Sequence, residues 1–308
     1  MAFTTNMTGT TALDDSILTA FDAGFILENA QADVMSQFAA TASFDIAAGS
    51  YQLPRYSQLT VVTTPLTQDE DVASEAMADT KVVFTPAEYG KVVTRTNLAS
   101  LQTGGKVDLA AAKLVGINVG RTMNKLACLA LDASTNKRIV DGVAEGSLAA
   151  TNVIDRDEVN RAYNRLARKS VPMVGDRYVA IAHEDVLFEV RNDVTAGGWV
   201  DVNKYSKALK VLNNEVGDFG GFRWIRNNDA TFADQSGAGT VDMYNSYFIG
   251  FNALGKAASL DPTIVFTSTD KLNRFVNVGW KAALEFKIVE SDAVQIVQSA
   301  SSVGANAA

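Results

Sequence analysis

The stretch "DLAAAKLVGINVGRTMNKLACLALDAS", from Asp108 to Ser134, constrains the fold more than any other part of the chain. Its apolar and small residues recur at steps of three and four, which is typical of one face of a helix. Lys113, Arg121 and Lys125 interrupt it, so no part reaches the roughly 18 uninterrupted apolar residues that a membrane span requires. The sequence therefore predicts a long helix of a soluble protein, packed along one stripe: Leu109, Ala112, Gly116, Val119, Met123, Leu126 and Ala130.

Two glycines lie inside this predicted helix, where glycine costs about 1 kcal/mol relative to alanine. Gly116 and Gly120 continue a row that begins at Ala112, and the members of this row are four residues apart. We expect another backbone to approach the helix closely along this row, which makes it a candidate close-packing face. Simple tolerance of a poor helix former is the alternative for either glycine.

Composition excludes several classes of protein. The chain has 308 residues, enough for a sizeable core and two subdomains, and its formal net charge is −8 with a pI of about 4.8. The negative net charge, without a visible lysine or arginine cluster, argues against a protein that binds nucleic acid through its phosphates. Cys128, the only cysteine, is predicted to be a buried small hydrophobe. The first residues have no basic and apolar signal pattern, so we expect cytoplasmic synthesis.

The residues available for chemistry are few. His183 is the only histidine, and it follows an apolar strand pattern, 178–182, and precedes a helix pattern that begins near Glu184. A capping role at the helix entry is therefore favoured over a catalytic one. No glycine-rich phosphate loop is present, and the acidic segment has no turn glycine for a calcium loop. The sequence predicts no catalytic residue, no cofactor site and no metal site.

The N-terminal half carries an arm and a hairpin pattern. Leu13, Ile17, Phe21 and Phe25 predict an amphipathic helix that docks on its own core or on a neighbouring subunit. Two β-rich segments, 51–66 and 81–96, predict a long hairpin, and its prolines indicate that it lacks strand partners on one side. Its polar tip either blunts an exposed edge or reaches over an adjacent copy. The candidate inter-subunit residues of this tip are Asp69, Glu70, Asp71, Glu75 and Asp79.

The C-terminal half predicts an α/β module followed by long strands. Asp155 and Glu158 have the spacing of a capping box at the start of a helix that Pro172 ends. Strands are expected at "RYVAIA", "FGGFRWIRN" and "SYFIGF". Strict alternation from Val276 to Ile288 then predicts one unusually long strand, with a turn at 290–292 and a partner strand through Val294 and Ile296.

This order of elements resembles the major capsid protein of tailed bacteriophages, the Hong Kong 97 phage-type fold. The most specific local match is "NEVGDFGGFRWIRNND", a Glu-hydrophobic-Gly and then Gly-aromatic-Arg-hydrophobic pattern. Its residues here are Glu215, Val216, Gly217, Gly221, Phe222, Arg223, Trp224 and Ile225. The resemblance implies an α+β fold with five parts: an N-terminal arm and helix (1–50), an extended hairpin loop (51–96), a peripheral domain with a long spine helix (97–133), a central α/β axial domain (134–255), and peripheral-domain strands with a C-terminal tail (256–308).

The resemblance also implies a function without enzymatic chemistry. The chain is expected to be a structural virion protein, synthesised in the host cytoplasm, whose copies form pentamers and hexamers of an icosahedral shell around double-stranded DNA. The DNA is enclosed but not specifically bound, no membrane is involved, and portal, scaffolding and decoration proteins are further candidate partners. The alternatives are a bacterial nanocompartment shell of the same fold, an enzyme on the central α/β module with His183 as its base, and a tail or fibre protein that uses the β arms.

Overall fold

The computed structural model describes residues 33–43, 49–66, 68–69, 71–98, 101, 106–193, 215–233, 236–238, 241–268, 270–272 and 274–303. The amphipathic helix expected around Leu13 to Phe25 lies outside the described residues. The first described residues already belong to the core, because Val34 and Met35 are buried in the main hydrophobic cluster.

Three α-helices with described bounds support the fold: α1 (Lys106–Asp132), α2 (Arg156–Arg168) and α3 (Glu184–Asn192). Helix α1 confirms the long helix predicted from Asp108. Helix α2 begins as its capping box predicts, because the Asp155 side chain accepts a hydrogen bond of 2.9 Å from the Glu158 amide. Within the described part of the chain, none of the helices is long and apolar enough to cross a membrane.

Among the described residues, thirteen strands form three sheets, and their bounds are as follows: β1 (Ala39–Ser43), β2 (Tyr51–Tyr56), β3 (Asp79–Phe84), β4 (Ala87–Thr96), β5 (Lys137–Ile139), β6 (Tyr178–Ala182), β7 (Glu215–Phe219), β8 (Phe222–Arg226), β9 (Phe232–Ala233), β10 (Met243–Ile249), β11 (Leu254–Ser268), β12 (Phe275–Ile288) and β13 (Val294–Ser299). A central sheet of seven strands has the order β5-β13-β10-β6-β8-β7, with β9 paired to β10. A long sheet of four strands has the order β1-β11-β12-β4, and β2 and β3 form a separate pair.

The motif around Gly220 and Gly221 is a tight hairpin in the central sheet, whereas the sequence predicted one strand there. Both glycines have positive φ, 61° and 80°, a conformation that side chains disfavour. A Cβ atom on Gly220 would lie 2.5 Å from Val159 of α2, and one on Gly221 would lie 2.5 Å from the Tyr163 ring. The two glycines therefore make the turn and also let α2 pack directly on it.

The long sheet confirms one predicted strand and adds two that were not predicted. Strand β12 runs over 14 residues, as the alternation from Val276 to Ile288 predicts. Its partner is the 15-residue β11, and β1 pairs with the start of β11 in parallel, from Ala39 opposite Leu254 to Ser43 opposite Ala258. Since β11 begins at Leu254, the long sheet starts slightly before the boundary at 255 that the resemblance implied.

Strand β13 corrects the prediction for the last strand. It was expected to pair with β12, but it pairs antiparallel with β10 and parallel with β5 in the central sheet. A 3-10 turn, Ser291–Ala293, redirects the chain after β12. All six residues of β13 are buried. Residues 294–299 therefore lie in the central sheet and not beside the long strands β11 and β12, although the resemblance implied one unit for 256–308.

The hairpin prediction is confirmed for 51–56 and 81–84, and it is wrong for 57–66, which form no strand, and for 87–96, which join another sheet. Strands β2 and β3 pair from Tyr51 opposite Phe84 to Tyr56 opposite Asp79. After Pro86 the chain leaves this pair, and β4 joins the long sheet beside β12. Proline cannot donate to a ladder, so Pro86 lies where the chain changes sheets, and Pro54 lies in a strand with one partner.

Candidate functional site: assembly surfaces

The segment between β2 and β3, residues 57–78, is called the distal loop here. Each of its described residues, 57–66, 68–69 and 71–78, is exposed. Its base is held firmly, because Arg55 forms an ion pair of 2.5 Å with Glu290 and the Lys287 ammonium donates to the Val83 carbonyl at 2.9 Å. The loop is thus anchored to the end of β12 but packs on no core of its own.

The distal loop exposes an unusual number of large apolar side chains. Their exposed fractions run from 60% to 82%, and they belong to Leu59, Val61, Val62, Leu66, Val72 and Met77. Burying one such side chain fully is worth about 1.5 to 3 kcal/mol. Exposed large apolar side chains concentrated in one segment are typical of an interaction site. The loop is therefore the described segment that gains most from being covered.

The candidate acidic residues are spread along the distal loop and its exit. Asp69 lies in the turn at 68–69, Asp71 follows it by two residues, Asp79 is the first residue of β3, and Glu70 lies outside the described residues. Glu75 braces the loop, because its carboxylate accepts hydrogen bonds from the Thr60 amide at 3.1 Å and the Thr60 hydroxyl at 2.9 Å. The two limbs of the loop are thus tied together, while its described carboxylates are exposed to solvent.

The candidate close-packing row of α1 is buried. Ala112, Gly116 and Gly120 are all buried, on the side of the helix that includes the core residues Val115 and Val119. Helix α1 contacts β12, and the Trp280 indole donates to the Asn118 side-chain oxygen at 2.9 Å. The row does not face open solvent, and the close approach of another backbone to it stays a prediction.

Polar side chains join the second half of α1 to the central sheet. The Asn124 amide donates to the Asn227 side-chain oxygen at 2.6 Å, and both residues are buried. Near the end of the helix, Asp132 accepts from the Tyr247 hydroxyl at 3.0 Å and from the Asn245 amide at 2.8 Å. Burial raises the pKa of Tyr247, with the charge of Asp132 acting in the same direction, so Tyr247 stays a proton donor. These bonds orient the long helix relative to the central sheet.

His183 has the capping role that the sequence predicted. Its Nδ1 atom accepts a hydrogen bond from the Asp185 amide at 3.2 Å, at the first turn of α3. Its ring packs on Tyr244, whose hydroxyl donates to Asp185 at 2.8 Å. Across the described ranges, no group of three or more His, Cys, Asp or Glu residues could hold a metal ion.

Cys128 is buried, as predicted. Burial, reinforced by the nearby charge of Asp132, raises the pKa of its thiol to about 12. The thiol therefore stays protonated and unreactive at neutral pH.

A cluster of arginines is the surface feature that the sequence analysis missed. Arg161, Arg165 and Arg168 of α2 share one cleft with Arg138 of β5 and with Asn164. The expectation that basic residues do not cluster is therefore wrong for this face. The spacing of 161, 165 and 168, which places them on one side of a helix, was the available signal. The fourth arginine comes from a strand far away in the sequence, and only the fold brings it there.

Comparison of the sequence with protein-family models finds no match, and no curated protein matches it. Solved structures do match. The capsid of Ralstonia phage GP4 has a TM-score of 0.71 at 13% identity, over 88% of this chain and 92% of that chain. The cyanophage Pam1 capsid has a TM-score of 0.65 at 12% identity, over 99% and 97%. A virus-like particle from Pyrococcus furiosus has a TM-score of 0.58 at 9% identity, over 91% and 98%.

These similarities confirm the fold that the resemblance implied. The chain has the α+β fold of phage capsid proteins, the Hong Kong 97 phage-type fold.

Proposed function

We propose that the chain is the major capsid subunit of a tailed bacteriophage, a non-enzymatic structural protein that self-assembles into an icosahedral shell enclosing double-stranded DNA. The distal loop carries the proposal. Apolar side chains exposed by 60% to 82% are held on an anchored hairpin, in a fold shared with phage capsids. A second copy of the chain is the partner that would cover such a surface repeatedly.

Each part of the chain has a role in this proposal. The hairpin and its acidic tip overlap the next subunit, and α1 with the long sheet forms the peripheral domain. The central sheet forms the axial domain, whose copies meet in pentamers and hexamers. In this proposal β4 belongs to the peripheral domain, because it pairs within the long sheet, and β13 belongs to the axial domain, because it pairs within the central sheet.

The remaining partners follow from the same assembly. Packaged DNA is enclosed without specific contacts, in keeping with a net charge of −8 that repels phosphates. Portal, scaffolding and decoration proteins are candidate partners, the virion is the final location, and synthesis takes place in the host cytoplasm.

Expression of the chain, followed by size-exclusion chromatography and negative-stain imaging, tests the proposal. We expect closed shells or capsomers. A compact monomer that persists under every assembly condition contradicts it, and tubes or fibres would instead indicate a tail protein.

A nanocompartment shell is the second candidate, favoured by the similarity to a virus-like particle from Pyrococcus furiosus. Closed cages that lack DNA and co-purify with one enzyme would support it over the capsid. An enzyme that uses His183 is tested by His183→Ala. We expect this variant to change stability only, because His183 serves as a helix cap.

A further inference from the structure

The arginine cluster forms a defined cleft at one edge of the central sheet. Arg138 lies on β5, which is the terminal strand of that sheet, and the other arginines lie on the adjoining face of α2. The cleft has a volume of about 420 Å³ and is lined by Arg138, Arg161, Asn164, Arg165 and Arg168. Arg161, Arg165 and Arg168 are exposed, so the cleft is open to a partner.

One buried carboxylate organises the cleft. Glu158 is 1% exposed and accepts hydrogen bonds from Arg138, at 3.0 and 3.2 Å, and from Arg161. Burial acts to raise the pKa of Glu158, but the two arginines outweigh it and hold the pKa below its ordinary value. Glu158 thus stays ionised and fixes two guanidinium groups. Arg165 and Arg168 remain exposed, so the cleft keeps a net positive charge.

Guanidinium groups arranged in this way are suited to carboxylates. The planar donor fork of arginine matches a carboxylate in bidentate fashion, with charge-assisted bonds that are stronger than neutral ones. An anionic partner with several carboxylates along one segment would occupy the exposed arginines together.

The distal loop is such a segment. The stretch from Thr67 to Asp79 contains five acidic residues and no basic residue. Asp69, Asp71 and Asp79 are exposed, and within the described part of the chain they form no ion pair. Since every described residue of the loop is exposed, the loop does not occupy the cleft of its own chain.

The negative net charge of the subunit also favours this contact. Copies that each carry a net charge of −8 repel one another, so close association requires local patches of opposite sign. The arginine cleft is such a patch, and the distal loop carries the matching charge. Contact between them also sets the register of two neighbouring copies, because a wrong alignment would juxtapose like charges.

We propose that the arginine cleft of one subunit binds the acidic distal loop of a second copy of the chain. This inference rests on the proposed self-assembly and identifies the partner surface of the loop tip. The apolar side chains of the loop supply most of the contact area, and the cleft fixes where the tip is held.

A charge-reversal experiment in assembly tests the contact. Arg165→Glu with Arg168→Glu is expected to reduce the yield of closed shells at least tenfold, and Asp69→Lys with Asp71→Lys is expected to do the same. The chain that carries all four changes restores the opposite charges and is expected to recover assembly. Circular dichroism and thermal unfolding of the unassembled subunits verify that each variant folds.

A binding measurement on unassembled subunits separates this inference from the proposed function. A fluorescent peptide of residues 66–80 is titrated at low salt with the wild-type chain and with Arg165→Glu/Arg168→Glu. We expect at least tenfold weaker binding by the variant, and loss of binding when the acidic residues of the peptide are replaced by their amides. A DNA oligonucleotide of equal charge serves as the competing ligand.

Each outcome decides one point. If the wild type forms shells and the arginine variant forms them equally well, the cleft contact is wrong while the capsid function stands. If the peptide binds both proteins equally, or the oligonucleotide binds the cleft more tightly than the peptide does, the acidic loop is not its partner. If the wild type never assembles but the peptide binding depends on Arg165 and Arg168, the proposed function falls and the complementary surfaces remain.

Discussion

Strand β10 and the distal loop both carry large apolar side chains, but these side chains have opposite environments. Every residue of β10 is buried, with β13 and β6 on its two sides. Every described residue of the distal loop is exposed, although Val61 and Val62 are as hydrophobic as the residues of β10. Hydrophobicity alone therefore does not place a segment in the core. The difference is that neighbouring strands of the same chain cover β10, whereas no described part of the chain covers the distal loop.

The largest expected effect on the stability of the subunit is in the central sheet. Phe248 is fully buried, with ring contacts to Phe222 at 4.8 Å and Trp224 at 5.6 Å. Phe248→Ala is expected to lower the free energy of unfolding by about 3 to 5 kcal/mol, through the cavity that it leaves. Urea unfolding of the unassembled subunit measures this, with Leu66→Ala of the loop as a matched control. Equal effects of the two changes would remove the distinction between the regions.

The second largest effect on the stability of the subunit is expected from a substitution on the buried face of α1. Gly116→Ala places a methyl group in the small-residue row, and a close backbone there makes the change destabilising by about 1 to 3 kcal/mol. If the row is loosely covered, alanine instead stabilises the helix by about 1 kcal/mol, because of its higher helix propensity. Thermal unfolding shows whether Gly116→Ala raises or lowers the stability of the subunit. The close-packing prediction is wrong if the variant is more stable than the wild type. Leu114→Ala on the exposed side of the helix is the control.

Replacement of Glu158 is expected to have a moderate effect on the free energy of unfolding, and this effect should depend on pH. Its pKa is lower in the folded chain than the ordinary value of 4.5, so its ion pairs stabilise the fold above that pH. This stabilisation is lost as the pH falls through the folded pKa. Glu158→Gln is expected to cost about 1 to 2 kcal/mol at pH 7 and less at pH 3. Unfolding curves at the two pH values check this, and a cost that does not fall with pH counts against the carboxylate as its source.

The smallest effect on the subunit is expected in the distal loop. Val61→Ser together with Val62→Ser changes two side chains that are 82% and 80% exposed. The stability of the unassembled subunit should change by less than about 0.5 kcal/mol. The same variant should fail to form shells in negative-stain images, because the change reduces the apolar surface available to a neighbour. Normal shells from this variant would show that the loop is not an assembly surface.

Local signals in the sequence were reliable where a few neighbouring residues decide the structure. The caps at Asp155 and His183 were predicted because a side chain and an amide three or two residues away suffice to form them. Helix α1 and strand β12 were predicted because their periodicity continues over many turns or pleats. The burial of Cys128 followed from its apolar surroundings.

Distant pairings were not available from the same signals. Strand β11 was missed because Asp261 and Pro262 interrupt its pattern, and its pairing with β12 shifts register between Ala258 and Leu260 and again before Thr263. The position of β13 depends on β5 and β10, which its own alternation cannot specify. The arginine cleft was missed because it needs Arg138 from a separate strand beside α2. Of the candidate site, the acidic segment could be read from the sequence, but the surface that we propose for it could not.

The place of β13 in the central sheet has a consequence for biosynthesis. It is the last described strand along the chain, and it lies between β5 and β10, both of which precede it in the sequence. A ribosome that makes the chain from its N-terminus has released β5 and β10 before β13 emerges. Until then β10 has an open edge, and the pairing requires closure of a long segment, which slows folding. The central sheet can therefore be completed only after residues 294–299 have been synthesised, because β5 and β10 share β13 as their partner strand.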